Sequence, residues 1–214
     1  MKRLLLLLCV VFLAAGLSAT PVTLRLLSFD GPFVNGIPTY PYTLVAAGSV
    51  PFWAMCDDYY HDGTPGDTWL ANLTNLGTAN LTYVRFAASA TALVRYQEAG
   101  WILLETQVTT PTQWPDMNYA VWHIFNPTVP IDTQAQLWID AAQQQAQQGF
   151  PGVDFYHVEI GTPIDVDAPP TGDQEFMWIV SGGIFPVVPE PSSLILLATG
   201  SLGLAGILRR KCGH

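Results

Sequence analysis

Residues 132–149 read DTQAQLWIDAAQQQAQQG, and this stretch decides the fold class. Asp132 has the side chain of an N-cap, Gly149 is a natural stop, and Pro151 follows. Between them Ala135, Trp138, Ile139, Ala142 and Ala146 recur at helical spacing, with glutamines on the remaining face. That spacing makes the glutamines the solvated side of a helix over 133–148 rather than an aggregation-prone tract. Working outward, the spacing of Val94, Trp101 and Leu104 predicts a second helix over 92–105. A third spans 116–125, opened by Pro115-Asp116, closed before Pro127, and burying Val121, Trp122 and Phe125. Beyond this block the pattern changes. Residues 22–29, 42–46 and 51–60 on one side, and 155–160 and 176–180 on the other, are β-branched and aromatic runs bounded by Gly, Pro and Asp. These read as strands. The fold class is therefore α+β: a β-rich domain with a central block of about three helices.

The totals agree with one such domain. The chain has 214 residues, half of them hydrophobic and 12% charged, which is ample for a core. Between Thr20 and Pro189, sixteen acids face only Arg25, Arg85 and Arg95. A surface that binds phosphates needs Lys and Arg to displace counterions, so neither nucleic acid nor an anionic lipid surface suits this domain. Cys56 is the domain's single cysteine, since Cys9 and Cys212 fall in the terminal runs, and no disulfide can form within it. The seven tryptophans could offer a carbohydrate-stacking face. Core filling is the expected role, because at least three lie on helix faces that should be buried.

Both ends carry processing signals. Lys2-Arg3 precedes apolar Leu4 to Leu17, and small residues follow at Ser18 and Ala19. This is the pattern of a cleaved signal peptide over 1–19, implying the Sec translocon and signal peptidase as partners. At the other end come Pro189-Glu190-Pro191, an apolar stretch over 194–208, and Arg209-Arg210-Lys211. The prolines keep the strap extended, the apolar helix enters the membrane, and the basic cluster stays cytoplasmic. The chain thus divides into a signal helix (1–19), an exported α+β domain (20–187) and a tail (188–214) with a hydrophobic helix.

That ordered tail resembles the PEP-CTERM sorting signal of Gram-negative bacteria. The resemblance gives Pro189, Glu190, Pro191, Arg209 and Arg210 the role of a sorting motif. It implies an exosortase, a membrane cysteine protease, as processing partner. The protein would be anchored to the inner membrane before processing, then sit at the cell surface or outside it.

The middle offers few reactive groups. Asp57, Asp58 and Asp62 supply hard oxygens for a metal, but their spacing is not that of an EF-hand and no Glu closes the loop. A plain acidic loop is the expected reading. One Cys and one His make only half a zinc site. Cys56 would need a base to act as a nucleophile, and the neighbouring acids would raise its pKa. No catalytic residue is assigned and no cofactor is expected.

One resemblance bears on Cys56. Met55-Cys56-Asp57-Asp58-Tyr59 is similar to the Cys-x-Asp strand end of bacterial thioester domains, in which a Cys and a Gln side chain crosslink. Asn118-Tyr119-Ala120-Val121-Trp122 resembles their Gln-x-Ala-Ile-Trp helix, and Tyr96 to Leu104 the intervening one. Asn118 stands where that family has Gln. The resemblance implies a Cys56–Asn118 pair set close together, with an amide one methylene short. The expected function is a non-enzymatic surface, adhesion or extracellular-matrix domain. The alternatives are an exported hydrolase or a thioester-type covalent adhesin working around Cys56.

Overall fold

Leu24 and Leu26 are buried and Arg25 between them is exposed, so the run Val22–Phe29 forms a half-buried strand, β1. The computed structural model describes residues 21–61, 63–164 and 173–180. The chain divides into two units, Met1–Ile179 and Val180–His214. The signal helix, the sorting motif and the 194–208 helix lie outside the described residues. Among those described, no helix is long and apolar enough to cross a membrane.

Six strands close into a barrel. After β1 comes a small hairpin, β2 (Phe33–Val34) and β3 (Ile37–Pro38), then β4 (Tyr42–Ala46), β5 (Phe52–Cys56), β6 (Thr68–Asn75), β7 (Val158–Pro163) and β8 (Phe176–Ile179). The order around the barrel is β1-β4-β5-β8-β7-β6, with every pair antiparallel. Register puts Leu24, Leu26, Leu44, Ala54 and Trp178 on one face, all wholly buried. A six-stranded barrel has a narrow interior that side chains fill. Trp178 fits because β7 offers Gly161: a Cβ there would lie 2.8 Å from Trp178 Cζ3 and 2.8 Å from Leu24 Cδ1. On the opposite face Met55 and Met177 pair across β5 and β8, and the helices cover this side.

The helices fall between β6 and β7. They are α1 (Ala92–Glu105), α2 (Trp114–Phe125) and α3 (Thr133–Gln147), and they pack on one another. α1 touches β8 and α2 touches β5. Asp132 caps α3, its Oδ1 accepting the Ala135 N–H at 2.9 Å.

Several expectations need correction. Val94 is 44% exposed, because α1 is rolled so that Tyr96, Ala99 and Leu103 face inward instead. Trp138 is only half-buried and leans on Trp101, ring centroids 6.2 Å apart. The 51–60 strand stops at Cys56, where the chain turns inward. The 155–160 strand splits into a 3-10 turn, Phe155–His157, and β7. β6 has no counterpart in the sequence reading. Nor has the hairpin, although its turn, Asn35-Gly36 with φ of 53° and 81°, is a standard two-residue signal.

Candidate functional site

β5 ends at Cys56, opposite Phe176 of β8, and the next residue keeps pace: the Asp57 N–H donates to the Glu175 carbonyl at 3.4 Å. Asp57 and Glu175 therefore meet just beyond the ladder. Asp58 Oδ2 lies 2.5 Å from Arg85 Nη1 and 2.7 Å from His61 Nδ1. Arg85 also donates its backbone N–H to Glu175 Oε2 at 2.8 Å and its Nη2 to the Asp173 carbonyl at 2.7 Å. Glu175 accepts two hydroxyls besides, from Tyr96 at 2.5 Å and from Thr162. Gln174 donates its amide to the His61 carbonyl. All three acids are buried, and Glu175 is wholly so.

Three buried carboxyls around one guanidinium cannot all ionise cheaply. Asp57 resolves this. Neither of its oxygens takes a hydrogen bond from a donor, and its side chain faces that of Glu175. A protonated Asp57 removes one of the three charges and can donate to Glu175. Burial first, then the charge of Glu175, pushes the Asp57 carboxyl well above its usual range. Burial, followed by Glu175, likewise raises the Tyr96 phenol, which keeps its proton as a donor.

Cys56 is wholly buried. Its Sγ donates to the Asp58 carbonyl at 3.1 Å and accepts the Asp58 N–H at 3.4 Å. Burial and the nearby Asp58 and Asp57 raise the thiol far above its ordinary value, so it stays an uncharged thiol. Asn118, on α2, is equally buried. Its Nδ2 donates to the Cys56 carbonyl at 2.8 Å and its Oδ1 accepts the Tyr40 N–H at 2.8 Å. The amide thus ties α2 to the end of β5 and to the bend that enters β4.

Cys56, Asp57, Asp58 and Asn118 are therefore brought together in the fold. Asp62 lies outside the described residues, as do Pro189, Glu190, Pro191, Arg209 and Arg210. Asp57 and Asp58 point into the protein, not into a loop open to solvent. Among the described residues no group of three His, Cys, Asp or Glu side chains is arranged to hold a metal ion. Arg85, Tyr96, Thr162, Gln174 and Glu175 belong to the cluster and were not singled out from the sequence. Arg85 alone had a signal, as one of three cations in a strongly acidic domain. Glu175 had none, for its partners Arg85 and Tyr96 are 90 and 79 positions away.

Residues 187–211 match the PEP-CTERM protein-sorting motif. The chain is thus an exported, envelope-sorted substrate of an exosortase. No curated protein matches the sequence. Among solved structures there is a weak likeness to the N-terminal thioester domain of protein F2 like fibronectin-binding protein from Streptococcus pneumoniae. Identity is 10%, the TM-score is 0.42, and the match covers 77% of this chain and all of that one.

Proposed function

We propose that the exported domain is a non-enzymatic surface module of adhesion or matrix type, and that Cys56 and Asn118 serve its architecture, not its chemistry. The observation that carries this reading is the Asn118 amide, whose two ends are both engaged by backbone, Tyr40 N–H and Cys56 C=O. A thioester requires that amide carbon to reach the sulfur and expel ammonia. Expelling the nitrogen would remove the donor to the buried Cys56 C=O and leave that carbonyl unpaired, at roughly 1–3 kcal/mol. His61 supports the reading too, being 6% exposed and clamped by Asp58 and Arg85, which is poor placement for a hydrolytic base.

The test joins mass to phenotype. Isolated protein should show no loss of ammonia at Cys56, and that thiol should alkylate fully once the chain is denatured. Alkylation decides the matter, because succinimide formation at Asn35-Gly36 also expels ammonia. In cells, Cys56→Ala should restore the surface phenotype of a deletion strain. A folded Cys56→Ala protein that fails to restore it, or a Cys56 that resists alkylation, would overturn the proposal.

A further inference from the structure

The sequence holds three Asn-x-Thr triplets: Asn72-Leu73-Thr74, Asn80-Leu81-Thr82 and Asn126-Pro127-Thr128. Such a triplet is the acceptor pattern for a sugar on asparagine, provided that x is not proline. The fold separates the three. Asn72 lies inside β6, opposite Thr162 of β7, and Thr74 is buried, so this triplet is held in the barrel ladder. Asn126 is followed by proline, and its Nδ2 is buried. Asn80 and Thr82 are both exposed, in the connection that leads to α1.

Local structure puts Asn80 there. Asn75 caps the 3-10 turn Leu76–Thr78, its Oδ1 accepting the Gly77 N–H at 3.1 Å. Ala79 then enters the left-handed region, with φ of 55°, and turns the chain. Asn80 Oδ1 accepts the Thr82 hydroxyl at 2.6 Å and the Thr82 N–H at 3.2 Å. Asn126 makes the same turn with Thr128, at 2.8 Å and 3.2 Å, so the turn alone is not the mark of a site. The difference lies at nitrogen: Asn80 Nδ2 is on an exposed residue and has no protein partner among the described residues.

We propose that Asn80 is a glycosylation site, whose Nδ2 takes a sugar from a glycosyl diphosphate. An amide nitrogen is a poor nucleophile, because its lone pair is shared with the carbonyl. It attacks when a proton leaves Nδ2 and the negative charge passes to Oδ1. Thr82 already aims two donors at that oxygen, in place before the charge develops. The bond formed joins Nδ2 to C1 of the sugar, and the bond broken joins C1 to the diphosphate oxygen. The departing diphosphate keeps the electron pair of the broken bond, and a base of the transferring enzyme takes the Nδ2 proton. A sugar at Asn80 hydrates one face of an envelope-sorted domain, and its presence does not depend on what that domain adheres to.

The experiment isolates the full chain from the surface of the strain that makes it. Trypsin releases residues 26–85, which carry both Asn72 and Asn80, and fragmentation that leaves sugars attached locates the modification. A sugar mass on Asn80 is expected, with Asn72 bare. An oligosaccharide increment marks a lipid-linked donor and a single hexose a nucleotide-linked one; either supports the site. Asn80→Gln should remove the sugar. Thr82→Ser should keep it and Thr82→Ala should lose most of it, although both retain Asn80. Both positions are exposed, so circular dichroism should find every variant folded like the original chain. An unmodified Asn80 in surface material would overturn the proposal. So would an equal sugar mass on Asn72, or a Thr82→Ala protein modified as fully as the original.

Discussion

Asp57 is the residue whose protonation most affects the domain. Its folded-state carboxyl is held above its unfolded value by burial and by Glu175. The folded state therefore binds more protons than the unfolded one once pH exceeds the ordinary carboxylate range. Stability is fully present below that range and falls as pH rises toward the folded value. The slope for one proton is about 1.4 kcal/mol per pH unit. Glu98, Asp116 and Glu159 are raised mainly by burial and act in the same direction. Asn has the shape of the protonated acid and can still donate to Glu175. Urea titrations should thus find Asp57→Asn less sensitive to pH than the original chain and more stable than it at pH 8. Equal slopes in the two proteins would mean that Asp57 is not held protonated in the fold. A chelator should leave the melting temperature unchanged if Asp57 and Asp58 are committed to this cluster; a drop would restore the metal reading.

Among the elements, α3 shows how a local signal survives folding. Its cap is the Asp132 carboxylate on the Ala135 N–H, and its buried side is small, with Ala135, Ile139 and Ala142. Removing a cap of this kind costs roughly 1 kcal/mol, so Asp132→Ala should lower thermal stability measurably. Asp132→Asn keeps an acceptor at the same place. It also withdraws the charge that, after burial, raises the Asp116 carboxyl. Calorimetry should place Asp132→Asn close to the original chain and Asp132→Ala clearly below it; equal losses would show that charge matters and the cap does not. β6 is the contrary case. It buries Trp69 and Ala71, yet Leu70 between them is 53% exposed and Asn72 follows. Apolar residues on both faces erase the alternation by which a half-buried strand is recognised.

For the whole molecule, the sorting tail carries the prediction. The motif at 187–211 assigns the chain to exosortase handling. Proline restricts the backbone dihedral φ, a restriction that alanine would not impose. Replacing Pro189 and Pro191 with Ala should leave an unprocessed form in the membrane fraction. Mass spectrometry of surface material from the unaltered chain should lack peptides from Ile195 to Arg209. Recovery of those peptides from the surface would show that the tail is retained.

By itself the sequence determined what local physics controls. Caps, helical periodicity and Gly or Pro stops set the three helices to within two residues at each end, and β1 and β4 at both ends. Short-range order of charge, prolines and apolar residues defined the sorting tail, because such a signal is a local pattern along the chain. Tertiary structure decided the rest. Barrel closure depends on pairings such as β1 with β6 and β6 with β7, which no local pattern encodes. It also depends on one glycine making room for Trp178. The acid cluster exists only because closure brings Asp57 and Asp58 to Arg85 and Glu175. Sequence makes these residues look like a solvated acidic loop; the fold removes their water, and with it the reason to treat them as separate charges.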